Sequence, residues 1–160
     1  MADRSISAKL RNILAEKEGL DPNLELSENQ LAALAALGFR FYEQGNLRDA
    51  HTLFEWLTVL DPNLYFGHAG LGAMALRDEK LDDAARHLKR AAQLHQQDPA
   101  VYPPPGEALL RQSNFTEAAS AFEQALKLDP NERNPSANRA RAILHGMNLA
   151  VSQMKGAGAA

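Results

Sequence analysis

The residue types that most often carry chemistry are present in this sequence, but not in arrangements that perform it. Five histidines, His51, His68, His87, His95 and His145, lack the His-Glu-x-x-His spacing that sets two imidazoles on one helical face around a metal. His87 and His95 stand two helical turns apart, too far to share an ion without a third ligand. They read as solvated helix-surface side chains, and no metal is expected. Gly67, Gly70 and Gly72 hint at a phosphate-binding loop, but no strand precedes them as such a loop requires. Glu79, Asp82 and Asp83 read as a solvated turn, not as an acid–base pair. There is no cysteine, which excludes disulfides, thiolate zinc sites, cysteine nucleophiles and cysteine lipid anchors. Neither catalysis nor a cofactor is expected.

The chain that carries these residues has 160 of them, enough for one ordinary domain. Hydrophobic residues make up 45% and charged residues 23%, so it can bury a core. The net charge of −3 and the lack of a basic–aromatic pattern argue against nucleic-acid binding. No apolar run approaches the ~20 residues of a spanning helix, so no direct membrane insertion is expected. Charges scattered through the first 20 residues do not suit a signal peptide. The expected location is the cytoplasm.

Internal periodicity supplies the architecture. Gly38, Gly72 and Gly106 recur at a fixed step of 34 residues, and so do Ala50, Ala84 and Ala118. The same step links Leu60, Leu94 and Leu128, then Leu47, Leu81 and Phe115, then Phe54, Leu88 and Phe122. A 34-residue period with a small residue inside each helix is the tetratricopeptide pattern of two antiparallel helices per repeat. The fold class is therefore all-α, with repeats over 31–64, 65–98 and 99–132. The glycines and alanines sit where paired helices cross, and Phe54, Leu57 and Leu60 share one face of the second helix. Asp61-Pro62 and Asp129-Pro130 stop their helices, and Ser27 with Gln30 forms a capping box. In repeat 2, His95-Gln96-Gln97 replace that stop, which predicts a longer second helix.

The flanks are read from the same rules. Residues 1–30 hold a predicted helix over about 5–17 with an apolar stripe of Ile6, Leu10, Ile13 and Leu14. The stripe packs on the first repeat as a cap or joins a second copy of the chain. A capping helix is expected within 133–154, with Ala140, Ile143, Leu144, Met147 and Val151 on one face, and a frayed tail over 155–160. Pro103-Pro104-Pro105 contradict the repeat, because proline inside a helix costs ~3 kcal/mol. The expectation is a polyproline-like lead-in, with Pro105 as the first helical residue of about 105–113. Trp56 stands one position off the inward stripe, on the convex surface or at a subunit contact.

In tetratricopeptide stacks the first helix of each repeat lines a concave groove. By position, the candidates for partner binding are Ala32, Ala35, Phe39 and Tyr42 in repeat 1, with Glu43 at the rim. Repeat 2 supplies Phe66, Ala69, Ala73, Leu76 and Arg77, and repeat 3 supplies Glu107, Leu110 and Arg111 beside Ala100 and Pro103. A small, apolar lining of this kind suits an extended segment with spaced apolar side chains. Tetratricopeptide domains that grip the C-terminal carboxylate of heat-shock chaperones place Lys, Asn, Asn, Lys and Arg across the groove. Here those positions hold Ala35, Phe39, Gly70, Ala100 and Pro104, so that cationic clamp is absent.

The run ALGF..Y..G...DA...F..L..LD at 36–61, the GLGA at 70–73 and the GEALL at 106–110 resemble a narrower family. They are similar to the class II translocator chaperones of bacterial type III secretion, the SycD/LcrH group, over roughly residues 26–130. The resemblance implies a non-enzymatic chaperone that keeps hydrophobic translocator proteins soluble before export. It implies an extended translocator segment held in the groove by Phe39, Tyr42, Phe66, Ala69, Ala73 and Leu76. It also implies a possible homodimer through Ile6, Leu10, Ile13 and Leu14. The alternative function is a general scaffold in envelope or pilus assembly.

Overall fold

The computed structural model describes residues 26–157, with side chains as far as residue 154. The described residues form α-helices and one 3-10 turn, and no strand occurs among them. The helices are α1 (Glu28–Glu43), α2 (Leu47–Leu60), α3 (Tyr65–Arg77), α4 (Leu81–Leu94), α5 (Pro103–Arg111), α6 (Phe115–Leu128) and α7 (Pro135–Ala157). The chain divides into two compact units, residues 1–74 and 75–160.

Local chemistry sets the helix ends. The capping box is present: Gln30 N–H donates to Ser27 Oγ at 3.4 Å, and Ser27 N–H donates to Gln30 Oε1 at 2.9 Å. Each hairpin then closes in the same way. Residues 45, 79 and 113, one repeat apart, all take positive φ: Gly45 at 77°, Glu79 at 58° and Ser113 at 62°. The following amides, of Asn46, Lys80 and Asn114, donate back to Phe41, Ala75 and Leu109 carbonyls at 2.9 Å each. This left-handed closure satisfies carbonyls that a helix C-terminus otherwise leaves open.

In the first unit the core gathers Leu31, Ala35, Ala50, Phe54, Leu57 and Met74. The Phe54 ring is fully buried, and two glycines make room for it. A Cβ on Gly38 would stand 2.9 Å from Phe54 Cε1, and one on Gly70 only 2.3 Å from Cγ. Both distances are below van der Waals contact, so the α1–α2 and α2–α3 crossings require hydrogen there. In the second unit the same device recurs, with Phe122 fully buried and a Gly106 Cβ falling 2.6 Å from its Cε1. Ala84 and Ala118, the counterparts of Ala50, are wholly inaccessible.

Three expectations change. The second helix of repeat 2 is no longer than the others: α4 has 14 residues, as have α2 and α6. Side chains close it where a proline closes the other two. Gln96 Nε2 donates to the Gln93 carbonyl at 3.2 Å and Tyr102 OH to the Gln96 carbonyl at 3.0 Å. Asp98 then accepts from Ala100 N–H at 2.8 Å and starts the 3-10 turn Pro99–Val101.

The three prolines are helical, and α5 starts at Pro103 and ends at Arg111, not at 105 and 113. They occupy the first three helical positions, whose N–H groups have no acceptor within the helix. The first amide that needs a partner is that of Gly106, which donates to the Tyr102 carbonyl at 3.2 Å. Pro103 and Pro105 are buried, so the prolines serve as core and not as a lip. Pro104→Ala should therefore change the melting free energy by less than about 1 kcal/mol, whereas Ala108→Pro, one turn further on, should cost ~3 kcal/mol or more. Thermal melts followed by circular dichroism measure both.

The C-terminal helix runs further than expected. Lys155, Gly156 and Ala157, placed by sequence in the tail, continue α7. Ala137 and Ala140 are fully buried against α6, and Ile143, Leu144 and Met147 are half-buried there. Val151 does not share that cover and is 50% exposed, as are Leu149 at 51% and Met154 at 76%. The reason is length: α7 has 23 residues against 14 in α6, so its last turns outrun the helix that covers its start. Asp129 aims α7. It is buried, and its carboxylate accepts from the amides of Arg133 at 3.0 Å and Asn134 at 2.9 Å. Asp129→Ala strands both amides and should cost about 2–3 kcal/mol in urea unfolding.

Candidate partner-binding surface

In the first unit, Phe39 and Tyr42 project from α1, and Phe66, Ala69 and Ala73 from α3. All five are half-buried. Phe39 leans on Phe54 with ring centroids 4.9 Å apart and planes at 59°, which fixes one face of the ring. Phe66 meets Tyr65 edge to face at 5.4 Å. Both aromatics and Tyr42 pack against the Leu31–Phe54 core cluster, so they are rigid platforms and not loose side chains. Ala32 is exposed. Ala35 departs from the expectation: it is 1% exposed and its methyl belongs to the core, so it leaves this surface. The cause is helical phase, since Ala35 falls one turn after buried Leu31 and one before buried Gly38.

In the second unit, Leu76 and Leu110 are half-buried and Arg77 is exposed. The charged candidates there already have internal tasks. Arg111 Nη1 donates to the Leu76 carbonyl at 2.9 Å and to Glu79 Oε1 at 3.2 Å. It thus caps the end of α3 from α5. Glu107 Oε2 accepts from Arg139 of α7 at 2.9 Å. Gln112 Nε2 ties the same end of α5 to Asp82 at 2.7 Å. Asp83, at the start of α4, is held below the ordinary carboxylate range by its hydrogen bond from Arg86. These are surface contacts of modest energy that position helices.

The sequence reading missed a cavity in the second unit of about 630 Å³. Its floor is Pro105 and Leu109 of α5, with Ala92 of α4 and Ala121 of α6 as walls and Lys89 and Gln124 at the mouth. None of the expected site residues lines it. The small residues that line it, Ala85, Ala92 and Ala121, are the same letter that signals helix packing, so the sequence holds no separate sign of it. Among the described residues no three His, Asp or Glu side chains gather as a metal site, and no helix is long and apolar enough to cross a membrane. Ile6, Leu10, Ile13 and Leu14 lie outside the described residues.

Comparison with known proteins narrows this surface to a family. Tetratricopeptide-repeat patterns match residues 30–99 and 106–132. The low calcium response locus protein H of Yersinia pestis is 29% identical over 127 residues, 78% of this chain and 76% of its own length. The PcrH structure in complex with the chaperone binding region of PopB is 30% identical, with a TM-score of 0.66, and covers 74% of this chain and 98% of that one. The chain belongs to the tetratricopeptide-repeat translocator chaperones of type III secretion.

The fold of this chaperone agrees with its relatives on coordinates as well. The Yersinia enterocolitica translocator chaperone SycD superposes with a TM-score of 0.72 at 28% identity, covering 80% of this chain and 90% of that one. Relatives have been seen with their cargo: SycD with a peptide of the translocator YopD, and PcrH with the chaperone binding regions of PopB and PopD.

Proposed function

We propose that this chaperone binds an extended, apolar segment of a translocator protein and keeps that protein soluble in the cytoplasm before export. The observation that carries the reading is the set Phe39, Tyr42, Phe66, Ala69 and Ala73. Three half-buried aromatic rings pack against the core cluster, beside two half-buried, methyl-sized side chains. Flat rings supply apolar contact at little entropic cost, and alanines leave space for another chain's backbone. In the second unit, taken by itself, the corresponding repeat positions hold the half-buried Leu76 and Leu110, together with Arg77, Glu107 and Arg111. Binding acts by covering apolar surface that otherwise aggregates, so no bond is made or broken and no cofactor takes part.

The complexes of PcrH and SycD with translocator segments support the same use of this fold. Co-expression tests it. A translocator encoded beside this chaperone should be recovered in the soluble fraction only when the two are made together. Equal recovery with and without the chaperone overturns the reading.

A further inference from the structure

The end of α7 is built unlike a helix end that faces water. Four large apolar side chains stand exposed among the described residues, and three of them, Leu149, Val151 and Met154, lie on its last turns. Residues 146–154 carry no charged side chain at all, whereas solvated helix surfaces are ordinarily rich in charge. Val151 and Met154 continue the face that Leu144 and Met147 turn towards α6. With 23 residues, α7 outruns the 14 of α6 by nine, a stretch of about 14 Å. It is one continuous helix to Ala157, so its end does not fold back onto its own unit.

The cavity of the second unit has the matching form. Ala85 and Ala92 of α4, Ala121 of α6 and Leu109 of α5 give it an apolar lining. Walls cut back to methyl groups let a third helix approach closely. Its lining residues on α4 run from Ala85 to Gln93, about 12 Å, close to the length by which α7 outruns α6. Lys89 at the mouth forms no ion pair among the described residues, and a cation there suits the partial negative charge of a helix C-terminus.

We propose that the last turns of α7 from a second copy of the chain lie in this cavity, and that the two copies exchange these turns reciprocally. Half the surface of a nine-residue helix, with the groove that receives it, amounts to about 550 Å2, so two insertions bury about 1,100 Å2. A specific interface needs about 1,000 Å2, which the exchange reaches and a single insertion does not. A two-fold axis then closes the pair. The contact uses none of the residues proposed for cargo, so it goes beyond that reading and stands or falls apart from it.

The sequence has no cysteine, so introduced thiols report this contact without background. Gln124→Cys places a thiol at the mouth of the cavity and Met154→Cys one on α7, both at exposed positions. A short bismaleimide should join an equimolar mixture of the two full-length variants at least tenfold faster than it joins either variant to itself. Adding Ala121→Trp to the Gln124→Cys chain, which fills the cavity, should abolish the joining. Adding Val151→Asp to the Met154→Cys chain, at a position the core does not use, should do the same, and circular dichroism should show the helices intact. A chain carrying both cysteines should stop at two copies. Equal joining in the mixture and in the single variants overturns the proposal, as does joining that survives either added substitution. A ladder of longer species overturns the reciprocal exchange.

Discussion

Phe54→Ala will cost the first unit about 3–5 kcal/mol, the loss expected when a fully buried phenyl ring is removed from a close-packed core. Phe54 of α2 touches both α1 and α3. Its ring lies under Gly38 of α1 and Gly70 of α3, and Phe39 leans on its face. The sharper form of the prediction concerns the glycine. Gly70→Ala puts a methyl carbon 2.3 Å from Phe54 Cγ and Cδ1, atoms near the root of the ring that cannot swing away. Overpacking of this kind costs about 1–3 kcal/mol. In a Phe54→Leu background the same change should cost much less, because the atoms it strikes are gone. Urea midpoints of the four proteins in this cycle measure the coupling. Additive effects would mean that the ring and the glycine do not share one space.

Phe66→Glu should lower affinity for a translocator segment by about 30-fold or more, since loss of a central aromatic anchor commonly costs 2 kcal/mol or above. The carboxylate would have to be stripped of water against apolar cargo. The fold should survive. Phe66 is half-buried in the first turn of α3, where a negative charge interacts favourably with the helix N-terminus. Phe66→Leu should keep most of the affinity, which separates loss of apolar contact from loss of a ring. Titration calorimetry with a synthetic cargo segment reads both, and circular dichroism checks the helices. Unaltered affinity in Phe66→Glu would place the contact elsewhere.

Period and local chemistry made much of the molecule readable in advance. The 34-residue step identified the helix crossings, because a crossing has room for hydrogen or methyl only, and Gly38, Gly106, Ala50, Ala84 and Ala118 bear this out. Ser27 and Gln30 announced the start of α1 because a capping box uses neighbours in the chain. The same letters that mark the repeat also carried the family resemblance at 36–61 and 70–73, and the absence of cysteine closed off thiol chemistry.

Other features depended on which groups meet in space. Three consecutive prolines look like a break until α5 is seen to begin at Pro103, where absent N–H groups cost nothing. The end of α4 rests on Tyr102 reaching back to Gln96, a contact between segments on either side of a turn. Helical phase turned Ala35 inward, and the greater length of α7 over α6 left Val151 in the open. Arg111 and Glu107 look like rim charges along the chain, yet each is tied to a helix far off in sequence. By itself the sequence determined the repeat, the helix crossings and the family, because spacing and steric size are properties of neighbouring letters. Only the tertiary structure decided which half-buried aromatics are anchored and which charges are already engaged, because packing between distant segments allocates each surface.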